Sequence, residues 1–65
     1  MEYKHIVHLA TSVRLGSLTA AAGELGISQP ALSKSIRALE RSLGVRLVER
    51  GRFGVRATHF GEAVI

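Results

Sequence analysis

The chain has 65 residues, enough for a single domain, and no cysteine, so neither a disulfide nor a thiolate metal site adds to its stability. Its 46% apolar content supports a packed core and excludes disorder, although a domain this small buries only about 60% of the surface its unfolded form exposes. The formal net charge is +4. Seven of the nine basic residues (Lys34, Arg37, Arg41, Arg46, Arg50, Arg52 and Arg56) fall between positions 34 and 56, opposed there only by Glu40 and Glu49. A basic half on a small domain favours a polyanionic partner over a merely solvated arginine-rich face.

In chain order, the apolar spacing predicts a first helix from about Tyr3 to Val13, with Ile6, Leu9, Ala10 and Val13 as its buried stripe. Lys4, His5, His8 and Arg14 decorate the remainder, and Gly16 offers a left-handed stop. Ser17 caps a second helix, about Leu18 to Leu25, whose stripe is Leu18, Ala21, Ala22 and Leu25. The two alanines let another helix approach closely. Gly23 weakens this helix by about 1 kcal/mol relative to alanine where exposed, and the sequence supplies no reason for it.

Gly26 and Ile27 form a short turn, with Ile27 folded back towards the core. Ser28 then caps a third helix, Gln29 to Leu43, with Pro30 in the first turn, where its missing N–H is not needed, and a stop at Gly44. Leu32, Ile36, Leu39 and Leu43 form one apolar stripe of this helix. Gln29, Ser33 and Arg37 line another face, with Pro30, Lys34 and Arg41 alongside. Such a helix packs by one stripe and offers amide, hydroxyl and guanidinium groups on the other, which suits the edge of a nucleic-acid groove.

After Gly44 the period shortens. Val45 to Arg50 reads as a strand, Gly51-Arg52-Phe53-Gly54 as a turn and Val55 to Ala57 as a returning strand, together a small hairpin or wing. Thr58 caps a last helix from about His59, with Phe60, Ala63 and Val64 on its apolar side. No apolar run approaches a membrane span and no leader pattern is present, so a cytoplasmic protein without membrane contact is expected. The sequence stops within this last helix without a capping signal, so a piece of a longer protein is expected.

Two helices joined by a short glycine-containing turn, the second with polar residues at its start, form the helix-turn-helix pattern. Gly16-Ser17-Leu18-Thr19, Ala21-Ala22, Leu25, Ser28-Gln29-Pro30-Ala31-Leu32-Ser33, Ile36, Leu39-Glu40, Leu43-Gly44, Leu47, Glu49-Arg50, Thr58 and Gly61 extend that pattern over essentially the whole chain. This ordered set resembles the N-terminal domain of LysR-type transcriptional regulators. The resemblance implies a mainly α, winged helix-turn-helix fold: a three-helix core, a small β-hairpin wing and the start of a linker helix. It places the DNA-binding domain at residues 1–58, the helix-turn-helix motif at about 18–37 and a truncated dimerisation helix at 59–65. It further implies a bacterial transcription factor that binds double-stranded DNA as a homodimer or tetramer, with a small-molecule effector bound only in a C-terminal domain outside this sequence. Where the family often has Phe, Phe and Leu, this chain has the smaller Leu18, Val48 and Ala57.

Helix-turn-helix proteins read base edges from the N-terminal end of the second motif helix. Gln29 suits adenine, Ser33 suits either donors or acceptors, and Lys34 and Arg37 suit guanine, with a phosphate contact as good a reading for Arg37. The Pro30 ring suits a thymine methyl, a contact that the resemblance supports. Ser28 is a helix cap whose amide also suits a phosphate, and Thr19 is a cap-region residue with a phosphate contact as its functional reading. Arg52, between the wing glycines, is the candidate for an adjacent minor groove. Arg50 either joins it or pairs structurally with Glu49 or Glu40, and Phe53 is expected to fold against the last helix rather than stand exposed. His5 and His8 lack a third ligand, and no nucleophile–base pair is present, so no metal, cofactor or enzyme activity is expected. The rival reading is a winged module that binds an acidic protein partner; it predicts no binding to any duplex even at low salt.

Overall fold

In the computed structural model, which describes residues 2–65, three helices precede a two-stranded hairpin and a short fourth helix. The helices are α1 (Tyr3–Leu15), α2 (Leu18–Leu25), α3 (Gln29–Leu43) and α4 (His59–Val64); the hairpin is β1 (Val48–Gly51) and β2 (Gly54–Ala57). This is the winged helix-turn-helix fold. The bounds of α2 and α3 follow from their caps: Ser17 Oγ accepts from Ala20 N at 3.1 Å, and Ser28 Oγ accepts from Ala31 N at 3.2 Å. Thr58 does the same for α4, accepting from Gly61 N at 3.1 Å. α1 runs one half-turn further than its apolar stripe suggested, to the left-handed cap at Gly16.

The core lies where α1, α2 and α3 meet and is closed from one side by the wing. Leu9, Ala21, Leu32, Ile36, Leu39 and Leu47 are fully buried. Each buried leucine or isoleucine of this kind stabilises by about 1.5–3 kcal/mol, so the five of them carry a large share of the core's burial. Leu18 and Val48, the smaller residues at positions often aromatic in the resembled family, are nonetheless buried. Leu43 differs from expectation: it is 38% exposed, because the last turn of α3 extends past the point where the core ends at Leu39. Ser12 is fully buried on α1, which its polarity did not suggest. Its hydroxyl donates to the His8 carbonyl one turn back at 2.8 Å, so no polar group is left unpaired.

The first strand begins at Val48, not Val45. The Leu47 and Val48 N–H groups donate to the Glu40 carboxylate, at 2.8 and 3.4 Å, and this anchors the chain to α3 before the hairpin ladder starts. The strands pair antiparallel in the register Val48–Ala57, Glu49–Arg56, Arg50–Val55 and Gly51–Gly54. Two close backbone approaches fix the hairpin. Gly54, at φ +98°, lies so near the α1–α2 turn that a β-carbon would sit 2.1 Å from the Gly16 carbonyl oxygen, and that oxygen accepts from Val55 N at 3.1 Å. Gly61 brings α4 against the Leu47 carbonyl, 2.0 Å from where its β-carbon would be.

Candidate nucleic-acid interface

α2 and α3 present their capped N-terminal ends on one side of the molecule. Thr19, Ser28, Gln29, Pro30, Lys34 and Arg37 are all exposed there. The two ends are tied together: Thr19 Oγ1 donates to Gln29 Oε1 at 3.3 Å. This bond occupies one lone pair of the Gln29 carboxamide oxygen and leaves its NH₂ and a remaining lone pair for an outside partner. Thr19 therefore orients Gln29 as well as lying beside a helix terminus.

Ser33 is placed differently. It shares a face with Gln29 and Arg37, as its spacing requires, yet it is only 7% exposed. Arg50 on β1 crosses to it, and Nη2 donates to Ser33 Oγ at 2.9 Å. The alternatives for Arg50, a pair with Glu49 or Glu40, are not what the chain adopts. Glu49 lies 4.0 Å from Arg56, and Glu40 lies 3.5 Å from Arg46 Nε while holding the Leu47 and Val48 amides. Sequence reasoning left Arg50 between a DNA contact from the wing and a carboxylate pair and did not foresee its bond to Ser33, since a contact across 17 positions leaves no mark on helical or strand periodicity.

The carboxylates sort the cations into two sets. Lys4 pairs with Glu2, Arg14 with Glu24, Arg46 with Glu40 and Arg56 with Glu49. Among the described residues Lys34, Arg37, Arg41, Arg50 and Arg52 have no carboxylate partner, and all five lie on α3 or the wing. The uncompensated charge thus gathers on the second motif helix and the wing, a concentration that draws a polyanion.

Arg52 and Phe53 form the tip of the hairpin. Arg52 is exposed. Phe53 does not fold into an apolar site against α4: it is 51% exposed and lies across the hairpin itself, with the Arg56 guanidinium 3.9 Å from its ring centroid and Gly51 beneath it. The cation–π contact holds the ring because a bare Phe at a two-stranded tip has no apolar neighbour large enough to cover it. On the far side of α3, His8 Nδ1 and Ser35 Oγ are 2.8 Å apart. Burial, then the neighbouring His5 and Lys4, lower the His8 pKa from its ordinary 6.5. No group of three His, Cys, Asp or Glu side chains suited to a metal occurs among the described residues, and none of their helices is long and apolar enough to cross a membrane.

A winged helix-turn-helix with its free cations gathered on the second motif helix and the wing defines a class: the helix-turn-helix domains of regulatory proteins. Residues 3–62 match the family of bacterial regulatory helix-turn-helix proteins of the lysR type, and the chain belongs to that family. It is 53% identical over 57 residues to the probable HTH-type transcriptional regulator LrrA of Synechococcus elongatus, a match covering 88% of this chain and 19% of that protein. It is 45% identical over 62 residues to the small neutral protease regulatory protein of Streptomyces coelicolor, covering 95% of this chain and 20% of that one. The chain therefore spans about one fifth of the length of the curated relatives it matches. Among solved structures it superposes on the BenM DBD/catB site 1 DNA complex with a TM-score of 0.92 and 41% identity, over 98% of this chain and 71% of that one.

Proposed function

We propose that this chain is the sequence-specific DNA-binding domain of a LysR-type transcription regulator, with α3 in the major groove and the wing against the neighbouring minor groove or backbone. The observation that carries this reading is the exposed N-terminal face of α3, where Gln29, Pro30, Lys34 and Arg37 lie free of carboxylates beside the Thr19 end of α2. Likeness to a protein solved on DNA supports it. Gln29 and Lys34 read base edges, Pro30 supplies an apolar contact, and Arg37 serves base or phosphate. Ser28 and Thr19 present their helix ends to phosphates, and Arg52 enters the minor groove. Ser33 contributes its hydroxyl from a position shared with Arg50. The domain is not an enzyme and acts in the cytoplasm. α4 begins a longer helix that pairs two subunits of the whole protein, whose effector binds outside residues 1–65.

Selection of bound sequences from a random duplex pool, followed by gel-shift titration on the selected and scrambled duplexes, tests the assignment. Gln29→Ala is expected to lower discrimination between the two duplexes by about 1–3 kcal/mol. Arg52→Ala is expected to weaken both to a similar extent and to reduce the salt slope by about one. Unchanged discrimination in the Gln29 variant sinks the placement of α3; no binding to any duplex at low salt sinks the DNA-binding reading and favours a protein partner.

A further inference from the structure

Beside the base-reading end of α3 lies an open cleft of about 540 Å³ between the second half of that helix and the wing, lined by Arg37, Arg41, Arg46 and Arg50 around Glu40. Four arginines thus line the cleft with one carboxylate. That carboxylate is already committed to Arg46 and to the Leu47 and Val48 amides, so it neutralises none of the other three arginines. Arg46 is held a second time by donating to the Val48 carbonyl at 3.1 Å. The cations without a carboxylate partner are Arg37, Arg41 and Arg50, and Arg50 alone of these is bonded, to the neutral hydroxyl of Ser33. The cleft starts one helical turn from Ser33, at Arg37.

We infer that this cleft is a phosphodiester site, and that a DNA phosphate bound in it takes Arg50 from Ser33, so that backbone docking hands the Ser33 hydroxyl to the bases. The inference rests on the DNA-binding reading above and names a site and a coupling within it. The chemistry favours the exchange. A guanidinium bond to an anionic oxygen is shorter and roughly twice as strong as one to a neutral hydroxyl. Arg50 has no carboxylate to hold it back, and Arg37 and Arg41 already concentrate positive charge where the phosphate arrives. Without the exchange Ser33 stays 7% exposed with one lone pair occupied, poorly placed to meet a base. Wing and recognition helix are then not independent readers: the Ser33 contact forms only on a duplex whose backbone has entered the cleft.

The test is a double-variant cycle on the 65-residue chain, titrating a selected duplex at several salt concentrations. Arg50→Ala and Arg41→Ala should each lower the salt slope by about one. In the native chain, Ser33→Ala removes a base contact but also removes a bond that binding would have to break. In the Arg50→Ala background there is no bond to break, so Ser33→Ala should cost about threefold to tenfold more affinity there than in the native background. An equal or smaller cost in the Arg50→Ala background overturns the exchange, because an Arg50 that merely holds Ser33 in place gives the opposite sign. An unchanged salt slope in Arg41→Ala overturns the cleft as a phosphate site. Circular dichroism checks the fold of each variant; should Arg50→Ala unfold, Arg50→Gln, which keeps length and a donor without charge, must show the same loss of slope and the same sign of coupling. A native chain that binds no duplex overturns the DNA-binding reading itself, whereas native binding with the wrong coupling overturns the inference alone.

Discussion

A β-carbon at Gly54 would sit 2.1 Å from the Gly16 carbonyl oxygen, on a backbone at φ +98° that side chains rarely adopt. Both partners are backbone, so neither can rotate aside. Gly54→Ala is expected to cost 2 kcal/mol or more, on the order of the largest single-site strains. Gly23 is the opposite case: it is exposed, helical, and has nothing within 4 Å of an added β-carbon. Gly23→Ala should stabilise by about 0.5–1 kcal/mol. Denaturant midpoints of the two variants measure both signs in one experiment. The same scale shows where the sequence was silent. The cap roles of Ser17, Ser28 and Thr58 were readable because a cap is defined by neighbours three residues on. The shelter of Ser33 was not, because it is created by Arg50 from another element. Phe53 misled for a related reason: its partner, Arg56, lies across the hairpin and looks like solvent-facing charge in a linear reading.

Between elements, the connections are polar as well as apolar. Thr58 caps α4 and also donates to the Arg46 carbonyl at 2.6 Å, so it joins that helix to the segment leading into the wing. Thr58→Ala should cost about 1–2 kcal/mol and exceed Ser17→Ala, whose hydroxyl serves its own helix only; thermal unfolding of the two variants makes the comparison. α1 and α3 meet at His8 and Ser35, with Lys4, His5 and Lys34 lining the same groove. A histidine whose folded pKa lies below its unfolded value binds fewer protons when folded. Stability at this site is therefore complete above the ordinary value of 6.5, begins to fall as pH drops through it, and is lost once pH passes the lowered folded value. The native chain should melt at progressively lower temperature as pH falls below 6.5, and His8→Gln should flatten that decline. A decline of equal size in the variant would assign it to other groups. At this scale the sequence was most legible, since the bounds of α2 and α3 are set by local caps and a 3.6-residue stripe. The strand start was less so, because Glu40 takes the Leu47 and Val48 amides and no period in residues 45–47 records that.

For the molecule as a whole, the five carboxylates matter as much as the nine cations. Four of them, by pairing with Lys4, Arg14, Arg46 and Arg56, leave the free charge on α3 and the wing, an asymmetry the net charge of +4 does not express. Charge reversal should show this. Lys34→Glu is expected to weaken binding to the selected and scrambled duplexes, the selected one more, and to lower the salt slope by more than one, while Lys4→Glu, at a cation already paired with Glu2, should leave the slope near its native value.

The contact between Gly54 and Gly16 has a geometric consequence. A wing free to swing could follow a groove of variable width, but this hairpin touches the α1–α2 turn backbone to backbone, with Val55 bonded to the same carbonyl. The base of the hairpin is accordingly tied to the α1–α2 turn, and on the DNA-binding reading proposed above the domain is expected to work as a caliper with locked jaws. A duplex in which one base pair is inserted between the two contacted segments moves them about 3.4 Å apart and turns one relative to the other. The locked domain can then seat α3 or the wing, but not both. Lengthening the hairpin tip would not recover the lost contact; only a bent or locally untwisted duplex would.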